Sequence, residues 1–250
     1  MRARLTSGEL DFERTAIGEH LLLGGDNLGL ALARLVEEKL KDVRLTLRQR
    51  YALRLACCFP KEQLLSDASL ERVPVTILGS GRTVVGGAIS VELTHEEVLR
   101  TLTDGFLPIT APDEMPVRGR TTGLREFGLP YAADAAITRH LAAFLTHTAA
   151  AMNESSSNLR LARPDAVLFN GGSCAPEVTR QRIAEAISAW FGESRRPKIL
   201  DNAAVESAVA RGAAYYGRVR RGAGLRIRAG SAHLVKARRK LLIRLTFSPS

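Results

Sequence analysis

The amino-acid sequence predicts an α/β fold. Two segments, residues 21–40 and 165–190, each contain a short apolar strand, a pair of glycines and then an amphipathic helix. Between them, residues 73–93 change to a two-residue periodicity rich in β-branched side chains, which is typical of a β-hairpin. We therefore expect a mixed sheet flanked by helices, with an inserted α+β subdomain.

Length and composition favour a soluble cytoplasmic protein. The chain has 250 residues, of which 45% are hydrophobic, enough for a sizeable core. No apolar stretch is long enough for a membrane span, and the start, "MRARLTSGELDFERT", lacks the apolar middle of a secretory signal. Its three cysteines have neither a disulfide pattern nor metal-ligand spacing, as expected in a reducing compartment.

The net charge of +10 comes from the C-terminal residues 218–250. Residues 218–250 contain ten Lys and Arg and no Asp or Glu, which leaves 26 basic and 26 acidic residues before them. A basic tail can bind phosphate backbones, but residues 226–250 show no interleaved aromatic rings. We expect an irregular basic tail over residues 222–250, explained by a truncated or frame-shifted end, with nucleic-acid binding the less favoured alternative.

The first strand–glycine–helix unit is "HLLLGGDNLGLALARLVEEKL". Leu21–Leu23 are predicted to end a short buried strand, and Gly24 and Gly25 allow a tight turn. Asp26 or Asn27 is predicted to cap the following helix. Its apolar positions recur with helical spacing at Leu28, Leu32, Leu35, Val36 and Leu40.

The middle of the chain contains helices and a hairpin. Residues 46–67 have helical character that Pro60 should kink or interrupt. The hairpin is predicted to turn at Gly79–Arg82, and Thr94 with Glu97 forms a capping box that starts another helix. Residues 107–123 contain three prolines and are predicted to be a loop.

The second half alternates helices and strands. After a polar loop, the apolar run "DAVLFN" is predicted to form a strand that ends at Gly171 and Gly172. A glycine turn lets the backbone approach a ligand, and a helix N-terminus favours anions, so both turns are candidate sites. The predicted elements are a helix at 132–152, a strand at 165–170, a helix at 176–191, a strand at 197–200 and, at 204–219, a small-residue helix that is able to pack very closely on its neighbours.

The order of these motifs resembles a known family. "LGGDN" before a helix, "VLFNGGS" before another and "AVARGAA" in a third resemble the second lobe of the ATPase domain in heat-shock 70-kDa (DnaK-type) chaperones. The similarity is greatest to the divergent bacterial branch called Hsp70-like, and it covers residues 10–221. It implies an actin-like ATPase (ribonuclease H-like) second lobe with a core at residues 1–45 and 126–221 and an inserted subdomain at 46–125.

The resemblance also implies a nucleotide site for ATP or ADP with magnesium. Gly24 and Gly25 would lie near the phosphates and ribose. Gly171, Gly172 and Ser173 would lie against the nucleoside. "PKEQLLS" resembles the helix that holds the sugar and adenine, and an acidic residue precedes the "AVARGAA"-like helix. These two matches imply that Lys61, Ser66 and Glu206 also belong to the nucleotide site.

The sequence departs from the family pattern at the adenosine contacts. The family often has a glutamate where this chain has Cys58, and the arginine that follows "GGS" in the chaperones has no counterpart in "SCAPE". The first lobe, with its phosphate hairpin and acidic metal-binding residues, is also without a counterpart. We expect no catalytic residues and no ATP hydrolysis by this chain alone, because phosphoryl transfer needs groups on both sides of a cleft.

Several functional interpretations follow from the sequence. The main one is a partial nucleotide-binding domain of a molecular chaperone, whose partners are the nucleotide, a first lobe and, in an intact parent, client polypeptides. The alternative is a nucleotide-independent scaffold or regulatory fragment that uses the same fold for protein contacts. A small-molecule kinase of the same superfamily is less favoured, since those enzymes also need both lobes. Nucleic acid and membranes are not expected partners.

Overall fold

The computed structural model describes residues 1–6, 9–18, 21–41, 43–79, 87–117, 133–152, 161–202, 207–225, 227–229 and 240–246. The strands in it are β1 Arg2–Thr6, β2 Glu9–Arg14, β3 Arg72–Leu78, β4 Ala88–Thr94, β5 Ala166–Asn170, β6 Lys198–Leu200, β7 Ile227–Ala229 and β8 Lys240–Thr246. The helices are α1 Gly25–Lys39, α2 Leu47–Ala56, α3 Cys58–Ser66, α4 His95–Arg100, α5 Ile137–Ala151, α6 Glu177–Phe191 and α7 Ala208–Arg220.

Six of the strands form one mixed sheet in the order β6-β5-β8-β1-β2-β7. Strand β5 pairs in parallel with both β6 and β8, and β2 pairs in parallel with β7. Strand β1 is antiparallel to β2 and β8. The α/β class and the mixed sheet are therefore confirmed.

The C-terminal segment contributes two of these strands. Strand β8 lies between β5 and β1, where Ala166 is opposite Leu242 and Arg2 is opposite Leu241. The prediction of an irregular tail over residues 222–250 is wrong at β7 and β8. The physical reason is that the backbone edges of β1 and β5 need hydrogen-bond partners, and "KLLIRLT", which contains neither proline nor glycine, can extend and pair with both.

The N-terminal part of the sheet also differs from the sequence prediction. Strands β1 and β2 form a hairpin with Arg2 opposite Glu13 and Thr6 opposite Glu9. The predicted strand at Leu21–Leu23 is wrong, because these residues have no strand pairing and lead directly into α1. Leu23 is nevertheless buried, at 2% exposure, so its apolar character serves packing and not sheet formation.

The second, two-stranded sheet is the predicted hairpin. Strands β3 and β4 are antiparallel, with Arg72 opposite Thr94 and Leu78 opposite Ala88. The N–H of Gly79 donates to the carbonyl oxygen of Gly87 at 2.8 Å, which extends the pairing by one step. The rest of the predicted turn, residues 80–82, lies outside the described residues.

The helix boundaries follow local sequence signals. Helices α2 and α3 are separated at Cys57, because Pro60 has no N–H to continue the helix and occupies the first turn of α3 instead. The capping box that starts α4 is present, since the backbone N–H of Glu97 donates to Oγ1 of Thr94 and the Glu97 carboxylate accepts from the Thr94 N–H.

After α4 the chain continues through a π-helical turn at Thr101–Phe106 and then runs without regular structure over residues 107–117. This confirms the described part of the predicted loop.

One hydrophobic core joins the sheet, the helices and the hairpin. It combines side chains of α1, α5, α6 and β5 with side chains from the predicted inserted subdomain. Its largest fully buried members include Leu32, Leu53, Leu64, Leu93, Leu145, Phe169, Ile183 and Ile187. The apolar spacing that predicts α1 is confirmed, since Leu28, Leu32 and Val36 are buried.

Helix α7 does not pack as the sequence predicts. Its small residues suggest close packing on neighbouring elements, but none of its residues is buried, and Val209 and Tyr216 are 68% and 64% exposed. Small side chains permit close helix packing without supplying the apolar area that would drive it. The prediction of a packed helix is wrong here.

Asp134 organises the loop that precedes α5. Its carboxylate accepts from the N–H of Val117 at 3.0 Å and of Ala136 at 2.9 Å, and it pairs with Arg139 at 3.2 Å. Burial opposes ionisation of this carboxyl, but these hydrogen bonds and the Arg139 guanidinium together hold its pKa below the ordinary value.

We expect Asp134→Asn to lower the free energy of unfolding by about 1–3 kcal/mol at neutral pH, because the charge-assisted network loses its negative charge and one of its two acceptor oxygens. A carboxyl with a lowered folded-state pKa stabilises above its unfolded pKa of about 3.9, and this contribution is lost as the pH falls through the folded value. Urea unfolding at pH 7 and pH 3 should therefore show a difference between wild type and variant that shrinks in acid. A difference independent of pH would contradict the assignment.

Among the described residues, no helix is long and apolar enough to cross a lipid bilayer.

Candidate functional site

Two glycine turns that are far apart in sequence meet in the structure. The position that a Cβ of Gly25 would occupy lies 3.2 Å from Nζ of Lys61 and 3.6 Å from Oγ of Ser173. The first turn precedes α1, the second follows β5, and Lys61 is in α3. The structure therefore brings together one residue from each of the three segments for which the family resemblance implies a nucleotide contact.

The first turn is fixed by the side chain of Asn27. Gly24 is the N-cap of α1, and its backbone N–H donates to Oδ1 of Asn27 at 2.9 Å. The prediction of Asp26 or Asn27 as the capping residue is thus wrong in position, since Asn27 is the third helical residue and reaches back to the cap. Asp26 instead pairs with Arg54 of α2 at 3.0 Å.

Gly25 is the point of closest approach in the first turn. A side chain there would require Lys61 to move, because a Cβ contact of 3.2 Å is shorter than ordinary van der Waals contact. The glycine thus keeps the lysine beside the first turn of α1. The positive end of the helix macrodipole adds to the lysine charge, so the turn is an electropositive surface.

The second turn requires glycine for a conformational reason. Gly171 has φ of 90°, a left-handed conformation that side chains disfavour, and it follows β5 directly. Gly172–Cys174 then form one 3₁₀ turn before α6 begins at Glu177. Gly172 itself is exposed, and a Cβ at this position would meet no atom within 4 Å.

Two asparagines and an arginine hold the second turn in place. Nδ2 of Asn202, which follows β6, donates to the carbonyl oxygen of Phe169 at 2.9 Å and to Oδ1 of Asn170 at 2.6 Å. On the other side, Arg180 of α6 donates to the carbonyl oxygens of Cys174, at 2.8 Å, and Ala175.

These residues were not predicted to be part of the site. The one signal available for the asparagines is that Asn170 ends one predicted strand and Asn202 follows another. The carboxyl ends of parallel strands share an edge of a sheet, which brings them together.

Lys61 is the buried cation of the site. It is 8% exposed, and Nζ donates to the carbonyl oxygen of Gly25 at 3.2 Å. Lysine is rarely buried to this extent without an anionic partner. Among the described residues this is the one hydrogen bond of Nζ, which leaves two of the three ammonium protons for a further acceptor.

The remaining predicted site residues are not brought to this point. Ser66 is exposed at the last position of α3, about 7.5 Å further along the helix axis than Lys61. Glu206 lies outside the described residues. The geometry thus groups Gly24, Gly25, Lys61 and Ser173 with the Gly171–Gly172 turn.

The cysteines near the site are packing residues. Sγ of Cys58 lies 3.6 Å from the carbonyl oxygen of Arg54 and 3.9 Å from the Cβ position of Gly29, so it fills the contact between α3 and α1. Burial raises the pKa of the Cys174 thiol to about 12, with Arg180 acting in the opposite direction. A thiol with such a pKa is not a nucleophile at neutral pH.

A scan against protein-family models found no match to this chain, and a search of curated proteins found none either.

Proposed function

We propose that this chain forms the adenosine-side wall of an ATP or ADP site, as part of the nucleotide-binding domain of a chaperone of the heat-shock 70-kDa type. The observation that carries the proposal is the meeting of Gly25, Lys61 and Ser173. Residues that the family resemblance assigns to one ligand would need to lie together, and here Ser173 meets Gly25 and Lys61, which precede it by more than a hundred residues.

The chemistry of the turns suits a nucleotide. The glycine pair in each turn has no side chains, which leaves room for a flat base or a sugar. The N-terminus of α1 together with Lys61 favours phosphate oxygens. Magnesium would arrive with the nucleotide, since it binds through phosphates and keeps several waters. We assign nucleotide binding to this chain but not phosphoryl transfer, because phosphoryl transfer needs groups on both sides of a cleft and this site would form one side.

A scaffold function without nucleotide is the second candidate. The observation in its favour is Cys58, whose sulfur is used to pack α3 on α1 and offers no carboxylate for sugar hydroxyls. The two candidates differ in one measurable property, which is the affinity for adenine nucleotides.

The direct test is calorimetric titration of the purified chain with ATP and ADP in the presence of magnesium. We expect binding by the wild type and a loss of at least about tenfold in affinity for Gly172→Asp. The substitution places a carboxylate at an exposed turn position beside the phosphate-binding surface, where like charges repel. The variant should fold normally, because a Cβ at Gly172 meets no atom within 4 Å.

The matched control is Gly105→Asp. Gly105 is also exposed, and a Cβ there also meets nothing within 4 Å, but it belongs to the π-helical turn and not to the site. Unchanged affinity in this control with a loss in Gly172→Asp would support the proposal. Absence of nucleotide binding by the wild type would overturn it in favour of the scaffold.

A further inference from the structure

Helix α7 is an exposed basic surface. It has no buried residue, although it spans thirteen residues and lies in sequence between β6 and β7 of the sheet. Arg211, Arg218, Arg220 and Arg221 are all exposed. Within the parts of the chain that the structure describes, none of these four guanidinium groups has a carboxylate within salt-bridge distance.

The surrounding sequence adds to this charge. Residues 207–250 contain eleven Lys and Arg and no Asp or Glu, while residues 1–206 contain 25 basic and 26 acidic residues. The excess positive charge of the protein thus begins with α7. A neutral body with one cationic segment is the electrostatic pattern of a protein that binds a polyanion.

Tyrosines alternate with the arginines on the helix surface. Arg211, Tyr215 and Arg218 follow one another at spacings of four and three residues, and Tyr216 and Arg220 are four apart. Residues at these spacings are surface neighbours on a helix. The aromatic interleaving that residues 226–250 lack is therefore present in α7, just before them.

The two tyrosines differ in their contacts and in the exposure of their rings. The hydroxyl of Tyr215 accepts from the N–H of Leu225 at 2.7 Å, and its ring lies 3.1 Å from the Cβ position of Gly224. That tyrosine anchors the chain after the helix. Tyr216 is 64% exposed, so most of its ring is available for stacking.

We propose that α7 binds single-stranded nucleic acid, with Arg211 and Arg218 contacting phosphates and Tyr216 stacking on a base. Single-stranded binders combine a cationic track with aromatic rings on which unpaired bases stack. An anionic membrane fits less well, because the exposed apolar residues of α7 are mainly Val209, two tyrosines and alanines, and interfacial helices rely on bulkier side chains.

The test is fluorescence anisotropy with a labelled twelve-nucleotide single-stranded RNA of mixed sequence, titrated with the full chain at several salt concentrations. Wild type is expected to bind with a steep salt dependence. In Arg211→Gln/Arg218→Gln the slope of log K against log salt should fall by about 1.4, since each phosphate contact contributes about 0.7 on single strands. Tyr216→Ala should weaken binding about fivefold or more through lost stacking.

The matched control is Arg195→Gln/Arg196→Gln, which removes two charges at exposed positions after α6. Far-UV circular dichroism and the fluorescence of the buried Trp190 check that every variant is folded. The expected result is a loss confined to the α7 variants. Equal losses in the control and the α7 double variant, no RNA binding by wild type, or binding only to phosphatidylserine vesicles would each overturn the proposal.

Discussion

Lys61→Met is expected to abolish most of the affinity for ATP and ADP while leaving the protein folded. A charge-assisted hydrogen bond to a phosphate or sugar oxygen is worth about 1.5–3 kcal/mol, or roughly 10- to 150-fold in the dissociation constant. Methionine has a similar length and no charge to desolvate, so it fits the space that Lys61 occupies at 8% exposure. The measurement is calorimetric titration with both nucleotides.

Thermal unfolding separates this binding effect from a folding effect. The Gly25 carbonyl loses the donor that Nζ supplies at 3.2 Å, which costs about 1 kcal/mol and shifts the melting temperature by only a few degrees. The control is Lys198→Met, which removes an exposed lysine from β6. Affinity equal to that of wild type in Lys61→Met would show that the lysine is a structural residue and not part of a nucleotide site.

Trp190→Ala is expected to cause the largest loss of stability, about 3–5 kcal/mol. The indole is 4% exposed in the core, and its Nε1–H donates to the carbonyl oxygen of Thr110 at 2.7 Å. Its removal leaves a cavity beside α6 and an unsatisfied carbonyl on the loop over residues 107–117. Urea unfolding followed by far-UV circular dichroism measures the loss, since the variant has no tryptophan fluorescence.

Trp190→Phe separates the two contributions. The phenyl ring keeps most of the apolar contact and loses the hydrogen bond to Thr110, so we expect a smaller loss of about 1–3 kcal/mol. A loss below about 1 kcal/mol for Trp190→Ala would contradict the central position of this side chain, because cavity costs of this size accompany truncation of large core residues.

Local signals in the sequence predicted the elements that depend on local interactions. The capping box at Thr94, the interruption near Pro60 and the amphipathic spacing in α1 are each formed by residues within a few positions of one another. The β5 strand and the turn after it were also predictable, because an apolar run followed by two glycines is typical of a strand that ends in a turn. The structure has this turn at Gly171, whose φ is 90°.

Pairing between distant strands was not predictable in the same way. The sequence of Leu21–Leu23 is as apolar as that of a strand, yet it has no strand partner, whereas β8 pairs with two strands although it contains a lysine and an arginine. Strand formation depends on whether a neighbouring edge is available, and this depends on the complete sheet. For the same reason α7 has small residues that would allow close packing, yet none of its residues is buried in the described structure.

The candidate site likewise has features that sequence motifs predict and features that depend on tertiary contacts. The glycines and Lys61 could be selected from the sequence because they match motifs, but the motifs do not show that Gly25, Lys61 and Ser173 are neighbours. The role of Asn202 was missed because only the fold brings it within reach of the Phe169 carbonyl, 33 residues earlier. The role of Arg180 was missed because no motif marks it, although the carbonyls that it contacts lie only five and six residues before it.

Hydrophobic periodicity, capping signals and backbone freedom within short segments were enough to predict the α/β class, the existence of the main helices and the two glycine turns, but not where every helix begins. The strand order, the insertion of β8, the exposure of α7 and the burial of Lys61 beside Gly25 became known from the three-dimensional structure alone. The physical reason is that each of these depends on contacts between segments that no local pattern encodes.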